Sequence, residues 1–437
     1  MTTESVVESV NTAGHLMIGG CDALDLVQEF QTPLVVYDIE QVRQQVRAFR
    51  QAFEEQQVNY VVSYASKAFA TQAIYQVMNQ EKAHIDVVSG GELYTAIQAG
   101  FPMAHVSFHG NNKSRSELEL AVQEQVGVII LDNFDELDLL SSILERTEQK
   151  IAVMLRITPD ITAHTHEYIQ TGQADSKFGF DLPSGQAEAA LKQILENPHL
   201  DFRGIHAHIG SQILAVTGFE LLAHKLVELA AQWQQKFQCP IPVLNFGGGF
   251  GIRYTAEDHP LAPAKFISAL VQTVKTDCQQ QQLPLPEIWI EPGRSLVGPA
   301  GYNLYTVGSS KRVPGLKPYV TVDGGMGDNI RPALYQAEYT AVLAANPQAP
   351  AEETIRLAGR YCESGDILIS ELEFPRVHQG QIVALLATGA YGYAMASNYN
   401  RVPRPAVVFA EQGKAQVVVE RESYADLNRL DRAYQNK

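Results

Sequence analysis

The chain has 437 residues, 45% hydrophobic and 19% charged, with a formal net charge of -16 at pH 7. That length exceeds a single compact core and predicts two domains, or one large barrel plus an extra domain. The acidic balance argues against nucleic acid and anionic membranes as partners, so an anionic ligand has to be captured by local donors.

Cys21, Cys239, Cys278 and Cys362 are scattered without a C-x-x-C pair, which points to reduced thiols rather than a disulfide framework or a zinc site. The opening Met1-Thr-Thr-Glu-Ser5 lacks the basic and then apolar pattern of a secretion signal. No apolar run approaches the roughly 20 residues of a membrane span. The expectation is a cytosolic protein.

From about residue 36 the chain alternates short β-branched runs with helical patterns. Strands are predicted at 60–64, 84–89, 105–109, 128–131, 151–157, 202–209, 243–246 and 288–290, and helices at 91–100, 114–124 and 184–195. Eight strands alternating with helices predict an α/β fold, a closed (β/α)8 barrel of the TIM type, with a doubly wound open sheet as the alternative. The long polar stretch at 158–200 follows a strand's carboxyl end, where barrel enzymes carry substrate-binding loops. After about residue 300 the texture changes to short strand-like runs separated by Gly and Pro: 302–309, 319–322, 340–342, 355–357, 382–386, 406–410 and 415–419. They predict a second, all-β domain, a barrel or sandwich. The N-terminal stretch is too short to fold alone. The division read from the sequence is therefore 36–298 for the barrel, and 1–35 with 299–437 for the β domain.

In such a barrel the reactive face is the set of residues just past each strand. Those positions hold Lys67, Ser89, His109, Asn133, Arg156, His208, Gly247 to Gly249, and Glu291 to Arg294. Lys67 closes the apolar run Asn59-Tyr-Val-Val-Ser-Tyr-Ala-Ser-Lys67. A lysine there either snorkels to solvent or, partly desolvated, supplies the amine of a Schiff base. Gly247, Gly248 and Gly249 form either a tight turn or an anion nest of backbone N–H groups, to which Arg294 can add a charged donor. Glu291 either pairs with Arg294 or holds a pyridine nitrogen protonated. His206 and His208 can bind metal at this spacing, but no third-ligand pattern accompanies them. A flat imidazole can instead stack on a cofactor ring, with Ser211 donating to a phosphate.

In the β domain, Arg331 and Tyr335 lie four residues apart and on a helical turn would share a face suited to one carboxylate. A surface arginine is the plainer reading. Cys362-Glu363-Ser364 places a thiol among polar groups on a loop, as an acid or as an inert buried cysteine. Tyr391 stands in a glycine-flanked turn suited to reaching a ligand.

Taken in order, Tyr64-Ala-Ser-Lys67, Asp86-Val-Val-Ser-Gly-Gly-Glu-Leu93, His208-Ile-Gly-Ser-Gln212, Gly247-Gly-Gly-Phe-Gly251, Glu291-Pro-Gly-Arg294, the segment 323–335, Cys362-Glu-Ser-Gly-Asp366 and Gly389-Ala-Tyr391 resemble the fold-type III pyridoxal-phosphate decarboxylases. The resemblance runs from about Ile18 to beyond Tyr391. It implies that Lys67 holds pyridoxal 5'-phosphate as a Schiff base, that His208 stacks on its ring and that Glu291 faces the pyridine nitrogen. Ser211, Gly247, Gly248, Gly249, Arg294 and Tyr391 would hold the phosphate, with Gly293 also among the cofactor-binding residues. Arg294, Arg331, Tyr335 and Tyr391 would bind the substrate, Glu363 its distal ammonium, and Cys362 would donate a proton; no metal is implied. In the family the residues at Cys362 and Glu363 reach the neighbouring subunit's site, which implies a homodimer. The segments 165–172 and Ser176-Lys-Phe-Gly179 are similar to the branch that decarboxylates meso-diaminopimelate more than to branches acting on ornithine or arginine. The related decarboxylases and a cofactor-binding protein without catalysis are the alternatives. One departure is Phe69, where many relatives carry asparagine.

Overall fold

The alternating pattern folds as a ring of parallel strands: β1 (Tyr60–Ala65), β2 (His84–Val87), β3 (Val106–Phe108), β4 (Val128–Leu131), β5 (Ile151–Thr158), β6 (Leu200–His206), β7 (Val243–Asn245) and β8 (Glu287–Ile290). Both β8–β1 and β5–β6 are paired, so the ring is closed and has no edge. The computed structural model describes residues 9–159 and 176–434; the predicted substrate segment 165–172 lies outside them. The chain divides into two compact units, one of Arg43–Ile252 with His259–Leu296, the other of Met1–Val42, Arg253–Asp258 and Val297–Lys437.

Within the barrel unit, Val128 and Ile130 of β4, Met154 of β5 and Val243 of β7 form one buried cluster, the layered filling of a small parallel barrel. The helix Thr217–Phe237 buries Phe219, Leu222, Ala223, Leu226, Val227, Ala230 and Trp233, a stripe at three- and four-residue spacing. Helix starts are set by short polar side chains. Ser89, Ser114 and Asn133 each accept a hydrogen bond from the backbone N–H three residues on, starting the helices Gly90–Gln98, Arg115–Gln123 and Phe134–Thr147. Such caps contribute about 1 kcal/mol each. Ser89 and Asn133, read from the sequence as members of the reactive rim, are therefore helix caps. The same cap explains why β2 stops at Val87 rather than running to residue 89.

The second unit is built on β9 (Gly301–Lys311), β10 (Tyr319–Val322), β11 (Ala341–Leu343), β12 (Glu353–Ala358), β13 (Ile367–Phe374), β14 (Ile382–Leu385), β15 (Ala406–Glu411) and β16 (Lys414–Val419). The strand Leu34–Asp38 lies between β9, antiparallel to it, and β15, parallel to it. The sheet runs β13-β12-β10-β9, then Leu34–Asp38, β15 and β16, with β14 joining β9 to β11. Leu16, Ile18, Leu34 and Val36 share one core with Leu304, Ala384 and Val408. Strand β13 escapes sequence reading because register shifts against β12 break its alternation and Ser370, Glu371 and Glu373 are exposed. Among the described residues no helix is long and apolar enough to cross a membrane.

Candidate active site

Register across three neighbouring strands assembles the floor of the barrel site. His206 of β6 pairs with Arg156 of β5 on one side and Asn245 of β7 on the other, and paired residues of adjacent strands project to the same face. All three are buried. Glu291 follows β8, and its backbone N–H donates to Gly247 O at 2.8 Å, tying it to the glycine loop after β7. Asn245 Nδ2 donates to Glu291 Oε1 at 2.7 Å, and His206 Nε2 lies 3.0 Å from Oε2. His109 Nε2, from the end of β3, is 2.9 Å from Oε1 but approaches obliquely.

Burial works to raise the pKa of Glu291, yet the two imidazoles and their hydrogen bonds hold its carboxyl well below the usual carboxylate range. Asp86, which pairs in register with Ala65 of β1, goes the opposite way: burial, and then the charge of Glu291, push it well above its ordinary value, with Lys67 opposing. The surroundings of these two carboxyl groups thus drive their acidities in opposite directions. Arg156 stacks over the Phe178 ring at 4.3 Å and stands 3.8 Å from Asp132.

Lys67 sits in the single 3-10 turn Ser66–Ala68 directly after β1. Its neighbours Ser66 and Ala68 are fully buried, which aims the lysine outward from the strand end, and Lys67 itself is exposed. Solvent reaches this side chain. His208 is half-buried and packs on the glycine loop; a Cβ on Gly247 would lie 2.8 Å from its Nδ1. Its imidazole is pushed well below the ordinary value by burial, then by the Lys67 and Arg156 charges.

Gly247 and Gly249 have φ of 64° and 110°, and a Cβ on Gly248 would meet Glu291 O at 2.1 Å. Only glycine lets this loop lie against the strand-eight turn. Arg294 does not pair with Glu291. Its Nε and Nη2 donate to Ser211 Oγ at 3.2 and 3.0 Å. Gly293 is buried, and a Cβ there would come within 2.8 Å of Ala65 Cβ. The loops after β6, β7 and β8 therefore bring Ser211, the glycine nest and Arg294 together as anion donors, beside an ionised acceptor. That donor set fits a protonated pyridine ring carrying a phosphate. Among the described residues, ligand atoms of His109, His206 and Glu291 lie within 4.8 Å of one another, a set that does not include His208 of the sequence pattern. The Arg156 charge bears on both imidazoles, which disfavours a dication there.

The other predicted residues lie in the β unit. Arg331 and Tyr335 do share a one-turn helix, Arg331–Tyr335. Arg331 is buried, donates from Nη1 to Tyr254 Oη at 3.1 Å and to Tyr339 Oη, and stacks over both rings. Neither tyrosine carries a local sequence signal for this role. Cys362 and Glu363 are exposed on a loop whose base is Asp366, a buried carboxylate accepting from the N–H groups of Met326 and Tyr361 at 2.7 and 2.8 Å. Tyr391 adopts φ of 61°, rare for a side chain of that size. Its turn is held by Tyr37 Oη donating to Gly389 O at 2.7 Å and Thr388 Oγ1 to Asn303 Oδ1 at 2.7 Å.

Barrel, anion nest and buried carboxylate define a pyridoxal-phosphate enzyme. Residues 39–298 match the family described as pyridoxal-dependent decarboxylase, pyridoxal binding domain, and the chain belongs to that family. It is 52% identical over 421 residues to the diaminopimelate decarboxylase of Bacillus subtilis (strain 168), covering 96% of each chain. With that of Bacillus methanolicus it shares 53% identity over 412 residues, 94% of this chain and 95% of the relative. The crystal structure of diaminopimelate decarboxylase from M. jannaschii in complex with L-lysine superposes with a TM-score of 0.92 at 32% identity, covering 98% of this chain and 99% of that one.

Proposed function

We propose that this chain decarboxylates meso-2,6-diaminopimelate to L-lysine and CO2 with pyridoxal 5'-phosphate as cofactor. The observation that carries the chemistry is Glu291, a buried carboxylate kept ionised where a ring nitrogen must stay protonated. The near full-length identity to diaminopimelate decarboxylases carries the substrate. When bound, the cofactor supplies an electron sink for the electron pair left as CO2 departs.

The residues of this chain do the rest. Lys67 offers the amine that holds the cofactor's aldehyde carbon. His208 provides a flat face for the ring. Ser211, Gly247, Gly248, Gly249, Arg294 and Tyr391 would hold the phosphate through N–H, O–H and guanidinium donors, with Gly293 also among the cofactor-binding residues. Arg294, Arg331, Tyr335 and Tyr391 bind the substrate, with arginine matching a carboxylate, and Glu363 holds the distal ammonium. Cys362 keeps the proton delivered to the substrate carbon. The exposure of Cys362 and Glu363 on one chain supports a homodimer in which each copy lends them to its neighbour's site.

The test is spectroscopic and chemical. Wild-type protein loaded with cofactor is expected to show a visible absorbance band and to release CO2 from meso-diaminopimelate in preference to ornithine or arginine. Lys67→Ala is expected to lose both. Normal turnover in the variant, or preference for ornithine, would overturn the reading.

A further inference from the structure

Glu291 is only 6% exposed, and a carboxylate so placed ordinarily takes up a proton. A protonated Glu291 would offer a hydrogen to the ring nitrogen instead of accepting one, and the electron sink would weaken. Two donor side chains from different strand ends, with a third imidazole close by, prevent this, and one of the donors has its orientation fixed independently. Asn245 Oδ1 accepts from the Gly247 N–H at 2.9 Å, so its Nδ2 must be the atom facing Glu291 Oε1.

His206 is the second. Its Nε2 faces Glu291 Oε2 at 3.0 Å, while its Nδ1 is buried without a hydrogen-bond partner among the described residues. A neutral imidazole has one N–H, and only the Nε2–H tautomer places it on a partner. Burial pushes this imidazole down to about 4, so it is a neutral donor at physiological pH. His109 lies edge-on to it, with ring centroids 4.9 Å apart and planes at 75°, and reaches Oε1. A carboxylate has about four acceptor positions. Asn245 uses one position on Oε1 and His206 one on Oε2, with His109 Nε2 close to Oε1, which leaves the other side of Oε2 for one further donor. The charges of Asp86, Arg156 and His208 also bear on Glu291, and that of Lys67 on Asp86 and His208.

We propose that His206, seconded by His109, is a positioning residue that keeps Glu291 an ionised acceptor for the cofactor's ring nitrogen and so sets how strongly the ring withdraws electrons. Neutral donors suit this task better than imidazolium cations. They order the carboxylate without cancelling its charge, and the whole anion acts on the ring proton. The inference rests on the reading of this site as one for pyridoxal phosphate.

The test uses holoenzyme without substrate. His206→Phe keeps a flat ring and removes the N–H; His206→Gln keeps an N–H donor. His206→Phe is expected to weaken cofactor binding roughly ten- to hundredfold, as for a lost hydrogen bond to a charged group. The pH midpoint of the visible band should move by about one unit, with His206→Gln restoring part of both. An unchanged affinity and midpoint in His206→Phe would sink the inference, whereas a wild-type protein without any visible band would sink the cofactor reading instead. Should His206→Phe not fold, long-range proton–nitrogen NMR of the wild-type apoprotein decides. A neutral His206 protonated on Nε2 between about pH 6 and 8 supports the inference, and an imidazolium or an Nδ1–H tautomer overturns it.

Discussion

Glu291 and Asp86 are 6% and 4% exposed on the same barrel unit, yet their acidities are driven in opposite directions. The difference lies in their partners: Glu291 collects two side-chain donors and the nearby His109 imidazole, and Asp86 Oδ1 is buried without a donor among the described residues. Lys67, the glycine triplet, Glu291 and Arg294 were each legible in the sequence because each directly follows a strand. The partners of Glu291 were not, since Asn245 and His206 stand 46 and 85 residues away. Gly248 shows how tightly this scale is set. A Cβ there would meet the Glu291 carbonyl oxygen at 2.1 Å, backbone against chain, with no flexible end to yield. Gly248→Ala is expected to cost about 2 kcal/mol or more through overpacking and to weaken cofactor binding. Thermal melts and the visible band of the loaded protein measure both, and a variant matching wild type in each would refute the packing argument.

At the scale of elements, periodicity predicted all eight barrel strands, and the structure moves several of their ends, lengthening some and shortening others. Helix capping accounts for one such change: Ser89 ends the run after β2 by starting a helix. Strand β13 was not legible, because its register shifts disguise a period of two. Its leading loop carries Cys362 and Glu363, and Asp366 anchors that loop by accepting two backbone N–H groups while itself buried. Removing a buried acceptor leaves both donors unpaired. Asp366→Ala should therefore cost about 3 kcal/mol, read by denaturant unfolding, and should lower turnover by loosening the loop. Asp366→Asn, which keeps an acceptor, should lose less of each; equal losses would mean the hydrogen bonds are not what holds the loop.

At the scale of the whole molecule, acid sensitivity is built in at the barrel end away from Lys67. His84, at the start of β2, stacks on His105 with ring centroids 4.3 Å apart, and burial followed by the His105 charge pushes its imidazole down to about 4. The unfolded chain then binds the proton more readily than the folded one. Stability is fully present above about pH 6.5 and falls as the pH drops towards 4, by about 3 kcal/mol for complete titration. Melting temperature against pH should decline in that window, and His84→Phe should flatten the decline while leaving turnover at neutral pH unchanged. An unaltered slope in the variant would exclude His84 as the source. The sequence by itself determined the order of elements, the closed α/β barrel followed by β strands, and the residues standing at strand ends, because periodicity and turn chemistry are local. Only the tertiary structure decided that His206 meets Asn245 and Arg156 across the ring, that Glu291 turns to imidazoles rather than to Arg294, and that Arg331 lies between Tyr254 and Tyr339. Those partnerships depend on strand register and on loops closing over long separations, and local composition does not encode either.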